Sequence, residues 1–244
     1  MVTLRRAEQR QHDRRGKQDI WRTFDPRDRE DPLADGFGPL ASLNEDHVPP
    51  GATVPRHPHH DAEIVTYVRQ GTLAYEDSDG RPGLINAGEF HRMSTSRGIR
   101  HTENASRRHW AHIFQISLRP ARTGLAPRHE QERFSAAQRR GGLCVVASPD
   151  ARGGSLRVDQ DALICSALLD PGQHVVHELS PGRGAWVHIV RGKAALGEVV
   201  LATGDGVGVT VGPAVSLTAR DDTEVLLLDF GEGTFATSDS EAFR

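Results

Sequence analysis

Three histidines and a glutamate fall within the heptad HPHHDAE, from His57 to Glu63, of this 244-residue chain. A second pair, His101 and Glu103, stands in the stretch GIRHTEN. His57 and His59 are two residues apart, as are His101 and Glu103, and on a strand residues i and i+2 face the same side. Two such pairs on neighbouring strands bring four ligands to one point. Three neutral imidazoles and one carboxylate suit a divalent transition metal such as Fe, Mn, Ni or Cu better than a closed structural zinc site, which prefers thiolates. Four protein ligands on a metal that favours six leave two positions open, as oxygen activation or substrate chelation requires. With 13 histidines in the chain, a bare HPH is ordinarily a solvated loop, so the matched spacing of the second pair carries the metal reading.

The elements that position these residues read as strands. Glu63–Arg69, His112–Leu118, Leu143–Ala147, Leu163–Leu169, Ala185–Val190, Val207–Val211 and Val225–Phe230 alternate or are rich in β-branched residues. Turn signals separate them, among them Asp79-Gly80, Asn86-Ala87-Gly88, Pro171-Gly172 and Gly204-Asp205. Many short strands at close spacing argue for an all-β sandwich or barrel. Short helical turns are expected only at Ala34–Leu43 and Gln131–Gln138. Residues 1–30 lean basic with acids mixed in and read as a solvated arm.

A formal net charge of −3 gives no ground for general nucleic-acid or membrane affinity. No run approaches the roughly 18 apolar residues of a membrane span, and the N-terminus lacks the apolar core of a secretory signal. Cys144 and Cys165 form neither a disulfide framework nor a zinc spacing, and both read as small core residues. A cytoplasmic monomer is the expectation.

A weak internal repeat divides the chain. Gly51 and Gly71, at the end of YVRQG, are matched by Gly172 and Gly192, at the end of HIVRG. Gly-acid turns follow in both halves, at Gly88-Glu89 and Gly204-Asp205. Two barrels are expected, near residues 1–134 and 135–244, joined around Arg128–Gly142, with terminal strands free to cross. Carrying the repeat across puts Glu178, Ser180, Leu217 and Ala219 at the places of the four candidate ligands. His174, His177 and His188 lie nearby, but no complete set remains, so the metal is expected in the first barrel alone.

Gly51, His57-Pro58-His59, Glu63 and Gly71 together resemble the first motif of the cupin superfamily, and Gly98-Ile99-Arg100-His101 with Asn104 resembles the second. More narrowly, HPHHDAEIVTYVRQGTLAYEDSDG, AGEFHRMSTSRGIRHTEN and HIFQISLRP resemble the signature segments of the pirin family, above all its bacterial members with quercetin 2,3-dioxygenase activity. The likeness runs on through SPDARGGSLRVDQDALICSALL and VLLLDF. It implies a bicupin with one metal, Fe(II) first, held by His57, His59, His101 and Glu103; Mn, Ni, Cu and Zn are compatible with the same donors. Glu63 falls four residues after His59, where other cupins place a ligand at five, and a structural hydrogen-bonding role is expected for it.

The resemblance further implies a dioxygenase that opens the central ring of a flavonol with loss of carbon monoxide. The substrate is a small chelating aromatic, the co-substrate is O2, and Glu103 is the base that takes the substrate hydroxyl proton. Phe37, Tyr67, Phe90 and Trp110 are candidate pocket walls, with core packing the alternative for each. Two departures bear on substrate preference: His91 replaces the glutamine usual in pirins, and Thr95-Ser96 replaces Ala-Gly. The competing function is a metal-bound redox-sensing module that acts through a protein partner, whose surface no sequence feature marks.

Overall fold

The structure, a computed structural model, describes residues 2–59, 62–76, 82–95, 99–105, 109–124 and 128–231, with the backbone alone for 53–59 and 99–105. In the first half run β1 (Val2–Arg5), β2 (Gln11–Arg15), β3 (Gln18–Arg22), β4 (Leu40–Val48), β5 (Thr53–His59), β6 (Glu63–Gln70), β7 (Thr72–Glu76), β8 (Pro82–Asn86), β9 (Glu89–Ser94), β10 (Ile99–Ala105), β11 (Ala111–Leu118) and β12 (Arg128–Arg133). A single helical turn, α1 (Ala136–Arg139), leads to β13 (Cys144–Ser148), β14 (Leu156–Arg157), β15 (Ala162–Leu169), β16 (His174–Glu178) and β17 (Gly184–Arg191). The chain continues with β18 (Lys193–Leu196), β19 (Val199–Ala202), β20 (Gly206–Val209), β21 (Ala214–Ala219) and β22 (Thr223–Phe230).

The strands form two pairs of sheets with the same internal order. A seven-stranded sheet β12-β9-β6-β11-β4-β3-β2 goes with a four-stranded sheet β5-β10-β7-β8; the second pair is β1-β20-β17-β22-β15-β13-β14 with β16-β21-β18-β19. The sequence repeat is this repeat of topology. Gly71 and Gly192 occupy equivalent turns, at φ +81 and +85, and a Cβ on either would lie within 2.4 Å of a backbone oxygen, of Trp110 or of Asp222. Only glycine fits where the backbone is both left-handed and this close to a neighbour.

The two larger sheets share one apolar core. Leu43, Val65, Tyr67, Phe90, Phe114 and Ile116 from the first barrel pack with Ile164, Trp186, Leu226, Leu228 and Phe230 from the second. Central strands are therefore covered on both faces: every residue of β22 is buried, and β6 is buried over its first six residues. A strand buried on both sides loses the usual apolar–polar alternation, which explains the runs VLLLDF and EIVTYV. β8 and β16, in the outer sheets, alternate.

The barrel interiors differ. That of the second barrel is one apolar cluster running from Cys165 and Val175 through Val187, Leu201 and Leu217 to Leu227. Among the described residues of the first barrel the interior splits into two small clusters, Val48, Val68, Leu73, Ile85, Ala111 and Ile113, and, apart from these, Ile64 with Met93. Polar side chains stand on the same faces, including buried Thr66, His91 and Asp46. A β-barrel fills its inside with apolar side chains unless something else belongs there.

Three expectations need correction. Residues 1–30 are not a solvated arm. β2 and β3 extend the first barrel's sheet, and β1 pairs with β20 of the second, Val2 opposite Val209 and Arg5 opposite Gly206. The arm's cations are held by specific carboxylates: Arg5 bonds Asp31, and Arg6 bonds Asp205 at 2.7 Å. Ala34–Leu43 is not helical: Phe37 and Leu40 form a bridge that opens β4. Of Gln131–Gln138 only the end is helical, where Ser135 caps α1; Arg128–Arg133 is β12, pairing with β9. β1, β2 and β12 lie at sheet edges, where a strand needs no continuous apolar face, so their sequences show no apolar period.

Candidate metal centre

β5 and β10 are antiparallel neighbours in the four-stranded sheet of the first barrel. Their register sets His57 directly opposite His101 and His59 opposite Ile99. A bulge follows, so that Glu103 pairs with Val54 on β5, while on its other side it pairs with Tyr75 of β7. Leu73, two residues before Tyr75, is fully buried in the first barrel's interior core. Pairing with Tyr75 thus places position 103 on the face of the sheet that Leu73 and Tyr75 occupy. The register thus sets positions 57 and 101 directly opposite each other, with 59 two residues along β5 and 103 two residues along β10, past the bulge. Bulges re-aim residues and are frequent next to functional sites. The side-chain geometry of His57, His59, His101 and Glu103, and all of His60, lies outside the described residues.

Facing this sheet, on β9, stands His91. It pairs in register with Thr66 of β6 and is 5% exposed. Its ring lies 4.6 Å from that of Tyr75, and its Nε2 is 3.4 Å from Nδ1 of His129 on β12. Tyr75 and His129 are themselves near-parallel, 7° apart at 6.2 Å. Gly83 makes room: a Cβ there would fall 2.2 Å from the Tyr75 ring. Burial, with the charges of His129 and Arg92, pushes the His91 pKa down to about 3, so the imidazole is neutral at ordinary pH. His91 is a buried interior residue, not a surface one.

Glu63 lies on the other face of its strand. Its Oε2 accepts from Arg92 Nε at 2.8 Å, and Arg92 Nη2 reaches Asp159 Oδ2 at 3.1 Å. Burial lifts the Glu63 carboxyl above its ordinary value, against the pull of Ser94 and Arg92. This glutamate makes a structural hydrogen bond, as the expectation has it, to the arginine that reaches across to the second barrel. The candidate walls resolve the same way. Phe37, Tyr67 and Phe90 belong to the core between the barrels, and Trp110 is 48% exposed. Tyr67 stacks on Phe90 at 4.3 Å, and its hydroxyl donates to Glu224 beside Arg139. Among the described residues, the aromatics that do face the first interior are Tyr75, His91 and His129. Tyr75 and His129 were not singled out from the sequence. The signal was there: Tyr75 alternates with Leu73 on a short strand.

Strand pairing also corrects the alignment of the second barrel. Leu217 pairs with Val175 and Val215 with His177. Val175 and His177, rather than Glu178 and Ser180, therefore stand where His57 and His59 stand. His177 is held by Asp229, Nε2 to Oδ2 at 2.8 Å, and Leu217 and Ala219 are buried in the apolar cluster. His174 meets Thr218, and His188 is fully buried between the barrels.

Two barrels stacked through their larger sheets, with a histidine-bearing strand pair in the smaller sheet of the first, define a bicupin with a candidate metal site in its N-terminal half. Residues 5–118 match the family model described as Pirin, and residues 145–230 the one described as the quercetinase C-terminal cupin domain. A curated relative, quercetin 2,3-dioxygenase of Escherichia coli strain K12, is 40% identical over 94% of this chain and 98% of its own. The crystal structure of YhhW from Escherichia coli superposes with a TM-score of 0.89 at 39% identity, covering 95% of this chain and 98% of that one. The bacterial pirin YhhW in complex with nickel(II) superposes at 0.88 and 38% identity, covering 95% and 100%. The chain belongs to the pirin family.

Proposed function

We propose that this protein is a metal-dependent dioxygenase that opens the central ring of a flavonol such as quercetin with release of carbon monoxide. The observation that carries the reading is the β5–β10 register, His57 opposite His101 with Glu103 beside Tyr75, in a chain 40% identical to a quercetin 2,3-dioxygenase. In this reading His57, His59, His101 and Glu103 hold one divalent transition metal, Fe(II) first. The donor set fits, with imidazoles and a carboxylate on facing positions of adjacent strands. The metal site belongs to an N-terminal barrel of residues 1–134, from which β1 crosses to the second barrel; the barrel of residues 135–244 has an apolar interior and serves the interface.

When bound, the metal supplies Lewis acidity that lowers the pKa of a substrate hydroxyl, and open positions for a chelating oxygen pair. The rest falls to the chain. Glu103 accepts the enol proton of the flavonol at a carboxylate oxygen. Tyr75, His91 and His129 offer a flat aromatic wall in the same interior, matched to a planar polyphenol. His91, held neutral by its burial, adds no positive charge of its own to compete with the metal for the substrate oxyanion.

The test is aerobic quercetin consumption with carbon monoxide detection. Protein reconstituted separately with Fe(II), Mn(II), Ni(II) and Cu(II) is run beside Glu103→Ala. Turnover with carbon monoxide release, lost in the variant, is the expected result. Metal bound with quercetin untouched in every reconstitution overturns it and favours the redox-sensing binding module.

A further inference from the structure

A second group of metal-type donors stands on the opposite side of the first barrel's larger sheet, away from the interior. β4 and β11 are antiparallel neighbours, and their register sets His47 directly opposite His112. Glu45 lies two residues before His47, on the same face of β4. This is the arrangement of the candidate centre in another place: two histidines opposed across a strand pair, with a carboxylate at i±2.

Here the side chains are described, and they converge. His112 Nε2 is 2.8 Å from Glu45 Oε1, and His47 Nε2 is 3.6 Å from the same oxygen. One donor atom from each of the three residues lies within 4.8 Å of the other two. The imidazole rings meet edge to face, 4.2 Å apart at 72°, so their nitrogens approach one point from different directions. His47 Nε2 is buried and has no hydrogen-bond partner. A buried polar atom left without a partner costs free energy, and a cation on that nitrogen removes the deficit.

The surroundings suit a cation as well. Arg10 takes the far oxygen, Oε2, at 2.7 Å, leaving Oε1 to the histidines. The His47 side chain is 41% exposed against 9% for Glu45, which gives an entry path ending at a buried anion. Trp21 packs its edge on the His47 ring at 5.0 Å and limits its rotation. One contact must yield: Arg69 Nη1 is 3.4 Å from His112 Nδ1, and an imidazole coordinated through Nε2 carries its proton on Nδ1. Arg69 is anchored independently on Glu224, Nε to Oε2 at 2.9 Å, so that this bond does not depend on the contact of Nη1 with His112.

We propose that Glu45, His47 and His112 form a second divalent-cation site at the rim of the inter-barrel seam, for a borderline ion of the Zn(II) or Cu(II) class. Two imidazoles and a carboxylate are ligands that such ions accept with water completing the shell. The site is independent of the proposed active centre, since it uses different strands and the other face of the sheet.

The test is metal stoichiometry on the full chain stripped with chelator, by calorimetric titration with Zn(II) and by electron paramagnetic resonance with Cu(II). The wild type is expected to take two equivalents. His47→Ala, a substitution at a partly exposed ring, is expected to take one and to lose one of two superimposed Cu(II) signals. The double variant His57→Ala/His59→Ala is expected to retain the signal that His47→Ala loses. A single wild-type equivalent lost in His47→Ala and kept in the double variant also supports this site, and counts against the other centre. Stoichiometry and spectra unchanged in both His47→Ala and His112→Ala overturn the proposal, and thermal midpoints without metal confirm that each variant is folded.

Discussion

The Glu63 carboxylate takes a hydrogen bond from Arg92 Nε at 2.8 Å, with both side chains about 1% exposed. Removing one member of a buried ion pair strands the other charge and costs about 3–5 kcal/mol. Glu63→Ala is therefore expected to lower the thermal midpoint steeply while leaving metal content per folded chain unchanged. Calorimetry with elemental analysis checks both; loss of metal at full stability would instead make Glu63 a ligand. In the proposed reading Glu103, of the same chemistry, is a ligand instead, its strand neighbour being Tyr75 rather than a residue of the inter-barrel face. Both glutamates were legible as candidates. The i, i+2 spacing of the histidines was legible too, since strand period is a local property of the backbone. The partnership of Glu63 with Arg92 and Asp159 was not, because its members lie 29 residues and more apart in sequence.

At the scale of the element, β1 is the informative strand. It covers the edge of β20 in the second barrel, in the place that β12 takes beside β9 in the first. Leu4 packs on the second barrel's interior cluster, and the Ala7 amide donates to Asp205 at 2.8 Å. Deleting residues 1–9 removes four paired positions and bares an edge strand, which promotes association between chains. The truncated protein is expected to show a lower thermal midpoint and concentration-dependent association in light scattering. An unchanged midpoint and a monodisperse truncated chain would restore the solvated-arm reading. The apolar strands of the second half were readable within a residue or two at their ends. β1 to β3 and β12 were not, because their stability comes from the neighbours they pair with rather than from an apolar face of their own.

For the whole molecule, the seam between the barrels holds a titratable group with nowhere to send a proton. His188 is fully buried, neither ring nitrogen has a protein partner, and Phe114 stands 5.8 Å from its ring. Burial pushes its pKa down to about 3, with Arg10 adding to the effect and Glu45 and Asp205 opposing it. The folded state thus binds this proton less tightly than the unfolded chain, whose histidine titrates near 6.5. Stability is unaffected well above pH 6.5 and falls as pH drops below it, by about 2 kcal/mol at pH 5. His188→Phe is expected to flatten the loss between pH 7 and 5, measured by denaturant midpoints at each pH. An equally steep loss in the variant would place the acid sensitivity elsewhere.

The amino-acid sequence by itself determined the β class, the two-fold repeat, the strands with apolar runs and the residue types of the candidate centre. Each of these follows from composition or from the two-residue period of a strand, which needs no information beyond a few neighbouring positions. Only the tertiary structure decided which face of each strand is interior and which is seam. A strand such as β6 is apolar on both sides, so its sequence cannot say that Val68 fills the barrel while Tyr67 reaches Glu224. That distinction arises when a second barrel covers the first. The same event drew Phe37, Tyr67 and Phe90 into the core between the barrels and gave Arg92 its second partner, Asp159.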